Sequence, residues 1–168
     1  PSKGRKSILQ TASSLHRLVT YLKLIQLDRM SAGLAKMAEA HVLIADITGS
    51  TKLYDQMSDH DALAQISGVL DRMRAIIEEN DGNGVKSQGD DTLSFFSEAD
   101  QAFKAARMMI EADWNFGLAV HVGAYWGDVL SHDADIYGDA VNTSARLAAL
   151  AKPGEVLIGD TVFERLSE

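Results

Sequence analysis

Beyond His41 the chain alternates short apolar runs with longer stretches of helical period, and that order leaves few folds open. The run Val42-Leu43-Ile44-Ala45-Asp46-Ile47 reads as a buried strand. Thr48-Gly49-Ser50-Thr51 then leads into a short helix, and a longer helix follows from about Asp59 to Asn80. On the longer one, Leu63, Ile66, Val69, Leu70, Met73, Ile76 and Ile77 make one apolar stripe that belongs in a core. Asp81-Gly82-Asn83-Gly84 stops it. Strands at 85–88 and 91–96 flank Gly89-Asp90 and read as a hairpin. A helix from Glu98 to about Glu111 carries Ala102, Phe103, Ala106, Met109 and Ile110 inward. Strands are expected at 116–124 and 128–131, with a polar loop from His132 to Ile136. A helix body runs from Ser144 to Ala151, where Pro153-Gly154 ends it. A strand at 155–158 and a helix from near Asp160 close the chain. This order, with one hairpin in the middle, predicts an α+β, ferredoxin-like sandwich in which helices cover one face of a mostly antiparallel sheet.

The stretch before His41 differs. Residues 1–7 are basic and polar and read as a linker, and a helical pattern runs from about Ile8 to Ala38. Leu15, Leu18, Leu22 and Ile25 form a short a/d seam that breaks at Arg29. Sustained coiled coil wants about three or four heptads, so two readings stay open: a surface helix packed on its own domain, or a dimerising, signal-transmitting helix. The chain divides accordingly into 1–39, linker and N-terminal helix, and 40–168, one domain. The first residue is Pro1 rather than Met, which leads us to expect a piece of a longer protein, with any membrane anchor or sensor domain upstream.

Composition narrows the function. A net charge of −8 over 168 residues argues against a broad basic surface for nucleic acid. An acidic chain that handles a nucleotide needs metal ions and a few placed Lys or Arg residues. There are no cysteines, which removes thiolate metal sites and cysteine nucleophiles and suits a cytoplasmic setting. No apolar run approaches the ~18 residues of a membrane span, and no signal-peptide pattern is present.

Two carboxylates stand out because they interrupt strand-like runs. Asp46 closes the first run, and Asp90 follows Gly89 at the head of another. Two carboxylates about 4 Å apart at an effective dielectric of ~20 repel by roughly 4 kcal/mol. A shared divalent metal reverses that sign. The plainer alternative, also open, is that Asp46 caps a helix and Asp90 fills a hairpin turn. Gly84 to Asp91 has the glycine spacing of a phosphate-binding loop but places Asp90-Asp91 where Lys-Ser/Thr is required, so that reading fails. His132 to Asp139 resembles a calcium loop only superficially, since Tyr137 and a missing terminal glutamate spoil it. The five histidines show no metal-ligand spacing and read as surface or packing residues. Thr48-Gly49-Ser50-Thr51, between strand and helix, either converges amides on an anion or is a plain turn. Asn142 and Arg146, four residues apart on one helix face, either aim at a phosphoryl group or line a solvated face.

Three stretches in this order, Ala45 to Thr51, Lys86 to Asp90, and Tyr137 to Leu147, together closely resemble the catalytic domain of class III nucleotidyl cyclases, over about Ala40 to Glu168. The resemblance implies that Asp46 and Asp90 bind two divalent ions, Mg2+ or Mn2+, with the Ile47 carbonyl on one of them. It implies that the amides of Thr48, Gly49, Ser50 and Thr51 meet the triphosphate. Lys86 and Asp135 fall on the adenine-selecting pair, where guanylyl cyclases typically carry Glu and Cys. Asn142 and Arg146 fall on the transition-state residues, Asn142 toward the ribose and Arg146 toward the α-phosphate. The implied activity is an adenylyl cyclase making cyclic AMP and pyrophosphate from ATP by a two-metal mechanism. The implied assembly is a head-to-tail homodimer in which each site takes Asp46 and Asp90 from one chain and the other four residues from its partner.

The family continues past the position of Glu168 with a strand pair bearing a triphosphate-binding lysine, so the domain at 40–168 is expected to be incomplete at its C-terminus. The loop Ser131 to Asp135 is also shorter than in many relatives. Two other readings therefore remain: a catalytically silent nucleotide-binding or dimerising module, and a guanylyl cyclase.

Overall fold

The structure, a computed structural model, describes residues 36–132 and 135–167. The expected linker and the seam from Leu15 to Ile25 lie outside these residues. β1 (Lys36–Thr48) is the central strand, antiparallel to β3 (Asp91–Phe96) on one side and to β4 (Ala119–His132) on the other. β2 (Asn83–Gln88) pairs with β3 and β5 (Asp135–Tyr137) with β4, so the path across the sheet is β2-β3-β1-β4-β5. β6 (Val156–Ile158) runs parallel to β4. The helices are α1 (Ser50–Gln56), α2 (Asp59–Glu79), α3 (Ala99–Glu111), α4 (Asp139–Leu150) and α5 (Asp160–Phe163). No described helix is long and apolar enough to cross a membrane.

Period-two alternation along β1 sorts the molecule into two faces. Leu43, Ala45 and Ile47 join Phe96, Val120 and Val122 in a core with the buried sides of α2 and α3. Ala40 and Val42 point the other way and pack with Leu93, Val129, Ile136 and Ala140. Ala140 belongs to α4, so the helices do not all lie on one face as the pattern suggests; α4 covers the opposite side. Gly123 permits this. A Cβ there would fall 2.2 Å from the Ala148 nitrogen and 2.3 Å from the Ser144 carbonyl oxygen, so α4 rides directly on the β4 backbone. The Ser144 hydroxyl donates to the Val42 carbonyl at 3.1 Å and fixes the helix to the central strand.

The α2 stripe is core from Ile66 to Ile77, but Leu63 is exposed and Ala62 takes its place. Ser58 caps this helix, its hydroxyl accepting the Asp61 amide at 3.2 Å. β1 begins at Lys36, so residues 36–38, with helical period, are strand; pairing with Val129, Leu130 and Ser131 overrides local preference. β4 is one strand where the sequence suggests two. Residues 125–127, between the two expected strands, pair in register with Val42, His41 and Ala40. The polar loop after His132 contains β5, and α4 starts at Asp139, ahead of the expected helix body, which places Asn142 within it.

Candidate functional site

Asp46 lies two residues before the end of β1, on the α4 face, opposite Asp91 of β3 and His121 of β4. Asp90 sits in the turn between β2 and β3, and its carbonyl accepts the Ile47 amide at 3.1 Å. That bond joins the residue after Asp46 to Asp90 and brings both carboxylates to neighbouring strand ends. Asp46 does not cap α1, because Gly49 is the N-cap and makes no side-chain bond. Asp90 does occupy a hairpin turn, but its carboxylate is engaged beyond it: the Ser50 hydroxyl donates to Oδ2 at 2.7 Å. Gly49 has φ 98°, a left-handed conformation that glycine adopts readily, and this turns the chain sharply enough to aim Ser50 back at Asp90.

Burial raises the pKa of Asp46 above the ordinary carboxylate value, and the charge on Asp90 raises it further. The largest opposing influence is His121, whose Nε2 lies 3.5 Å from Asp46 Oδ2. The other ring nitrogen, Nδ1, is 2.9 Å from the Thr48 hydroxyl. Among the described residues no lysine or arginine forms an ion pair with Asp46 or Asp90. Nor do three or more His, Asp or Glu side chains gather as a closed metal cage. Two uncompensated carboxylates fit an ion of the Mg2+ type, which takes one or two protein carboxylates and completes its shell with phosphate and water. The residues present therefore suit such an ion. Ile47 keeps its side chain in the core, while Thr51 is exposed on the first turn of α1.

Lys86 and Asp135 meet although their strands are opposite edges of the sheet, which curls until β2 and β5 approach. Lys86 Nζ is 2.5 Å from Asp135 Oδ2, with the Tyr137 ring 5.9 Å away. Burial alone would raise the Asp135 pKa, but the bonds from Lys86 and from the Ile136 amide outweigh it and hold the group below its ordinary value. The Asp135 bond raises the Lys86 pKa in turn. At pH 7 the two stand side by side as a donor and an acceptor.

Asn142 and Arg146 are both exposed on α4. Each is two residues from Ser144, which faces the sheet, so each projects about 160° away from it at 100° per residue. Ala140 packs against Gly127 and Ser144 binds Val42, so Asn142 sits level with Ala40 to Val42. That is four to six residues from Asp46, roughly 14–20 Å along the strand. The chain thus brings together Asp46 with Asp90, and Lys86 with Asp135. It does not bring Asn142 to the carboxylate pair; Arg146, between Ser144 and Ala148 over Gly123, lies nearer, level with Ile44, and projects away from the sheet. Sequence reasoning missed His121, which lies far from Asp46 in sequence and meets it only through register.

Residues 34–168 match the adenylate and guanylate cyclase catalytic domain family. A Rhizobium meliloti (strain 1021) protein provisionally named adenylate cyclase 3 is 33% identical over 136 residues, covering 74% of this chain and 23% of its own. An adenylate cyclase of Glutamicibacter nicotianae is 30% identical over 116 residues, covering 67% of this chain and 28% of its own. The chain therefore spans about a quarter of the length of these curated relatives. Among solved structures, an adenylate/guanylate cyclase/hydrolase from Silicibacter pomeroyi superposes with a TM-score of 0.65 at 29% identity, covering 80% of this chain and 86% of that one.

Proposed function

The chain belongs to the adenylate and guanylate cyclase catalytic domain family, and on that premise we propose that it converts ATP to cyclic AMP and pyrophosphate at sites shared by two copies of itself. The observation that carries the choice of ATP is the juxtaposition of Lys86 and Asp135. Adenine presents a donor at its 6-position and an acceptor at N1, which a carboxylate and an ammonium complement in that order. Guanine presents the same two positions inverted, an acceptor at 6 and a donor at N1. The adenylate cyclase names of similar proteins point the same way.

The separation of Asn142 from Asp46 supports the shared site. A head-to-tail pair would supply Asp46 and Asp90 from one protomer and Lys86, Asp135, Asn142 and Arg146 from its partner. Asp46 and Asp90 would hold divalent ions, which when bound would activate the 3′-hydroxyl and neutralise phosphate charge. Asn142 orients the ribose so that its 3′-oxygen lies in line with the α-phosphorus. Arg146 stabilises the charge gathering on the α-phosphate oxygens. The new bond joins the 3′-oxygen to the α-phosphorus as the bond to pyrophosphate breaks, and the hydroxyl proton passes to solvent.

Purified protein given ATP with Mn2+ or Mg2+ is expected to form cyclic AMP, to prefer ATP when GTP competes, and to lose activity as Asp46→Ala. ATP binding without turnover would favour the silent module, and GTP preference the guanylyl cyclase. Full activity of Asp46→Ala would defeat the metal assignment.

A further inference from the structure

We propose that His121, oriented by Thr48, is a positioning residue that fixes the Asp46 carboxylate for a divalent cation. The inference rests on the reading of Asp46 and Asp90 as the metal-binding pair. Three side chains carry it. Asp46 and His121 are paired across β1 and β4, and Thr48 lies on the same face of β1, two residues on. The imidazole is nearly enclosed, with 13% of its side chain exposed, so it has little freedom to turn away.

The contacts on the two ring nitrogens select one arrangement of the neutral imidazole. If Nδ1 carried the hydrogen, it would donate to the Thr48 oxygen, and the bare Nε2 lone pair would face the Asp46 carboxylate 3.5 Å away, which is repulsive. If Nδ1 instead accepts the Thr48 hydroxyl hydrogen, the hydrogen is on Nε2, the nitrogen nearer Asp46, and the 3.5 Å contact is attractive, though longer than a formed hydrogen bond. Thr48 thereby sets the tautomer, and the imidazole sets which carboxylate oxygen is occupied. Oδ1 is left for the cation. Asp90 is held in parallel by Ser50 through its own Oδ2. Asp90 has one oxygen hydrogen-bonded to a neighbour and Asp46 has one facing the imidazole, the arrangement by which outer groups orient ligating carboxylates.

The test is Mn2+ affinity, read from the free-ion electron paramagnetic resonance signal with 3′-deoxy-ATP, which lacks the attacking hydroxyl, so that no turnover intervenes. His121→Ala is expected to weaken Mn2+ binding by about 10–100-fold. His121→Gln, whose amide N–H reaches the Nε2 position, should restore most of it, and Thr48→Val should fall between. Thermal melting checks that each variant folds; if His121→Ala does not, His121→Gln and Thr48→Val decide. Wild-type affinity in His121→Ala, or equal weakness in folded His121→Gln, overturns the role of His121. Wild-type affinity in Asp46→Ala, or no binding by the unmodified chain, instead overturns the reading beneath it, and the inference falls with it.

Discussion

The hydroxyl of Ser50 donates to Asp90 Oδ2 at 2.7 Å, joining the first turn of α1 to the hairpin turn between β2 and β3. The turn after β1 therefore reaches Asp90 through a side chain. A hydrogen bond to a charged group contributes about 1.5–3 kcal/mol, and this one is only partly buried.

Ser50→Ala is accordingly expected to lower kcat/KM for ATP by about tenfold, the lower end of that range, and to raise the Mn2+ concentration needed for half-maximal rate. Ser50→Thr should keep most of the activity. Initial rates across a metal titration measure both effects, and an unchanged metal requirement in Ser50→Ala would show that Asp90 needs no anchor.

Asp46 predicts a conflict between stability and function. Burial and the charge on Asp90 raise its pKa in the folded protein above the ordinary value of 3.8. The folded state then binds the proton more tightly than the unfolded one, so stability falls as pH rises through that window and the full penalty stands above it. Asp46→Asn should melt at a higher temperature than the unmodified chain at pH 7 without metal. The gain should shrink as pH falls through the carboxylate range. Mn2+ with nucleotide should reverse the order. A lower melting temperature for the metal-free variant at pH 7 would contradict this account.

His41 gives the opposite slope. Burial, with a smaller contribution from the Arg165 charge, lowers its pKa from 6.5 to about 4. The unfolded chain binds more protons between those values, so stability rises with pH across the window and is lost as pH falls toward 4. The ring is 3% exposed and its Nδ1 has no hydrogen-bond partner among the described residues. The full shift is worth on the order of 3 kcal/mol. His41→Phe should flatten denaturation midpoints measured between pH 4 and 6.5; an unchanged slope would mean that other groups carry the acid sensitivity.

Much of this was legible in the sequence, for identifiable reasons. The central strand, the hairpin around Gly89-Asp90 and the α2 stripe follow from alternation and helical period, and the pairing of β1 with β3 that the expected fold implies puts Asp90 near Asp46. What escaped depends on register and on contacts distant along the chain. Nothing local says that Gly127 continues a strand, because its pairing with Ala40 supplies the reason. Nothing local places α4 on the far face either, since that turns on the bare backbone of Gly123 beneath Ser144 and Ala148. His121 looked like one of five scattered histidines until strand pairing set it against Asp46. The meeting of Lys86 with Asp135 came from the family resemblance; the curling of the sheet edges supplies its physical cause.

The shared site is the central claim, and mixing two inactive variants tests it most directly. Asp46→Ala removes a carboxylate and Asn142→Ala the proposed ribose contact, so on this proposal neither homodimer contains a complete site. A mixed dimer combines both lesions in one site and leaves the other intact. Random mixing makes half the dimers mixed, so activity should recover to about a quarter of the unmodified level. No recovery in samples where mixed dimers are confirmed, or high activity in Asn142→Ala alone, would contradict a site built from two chains.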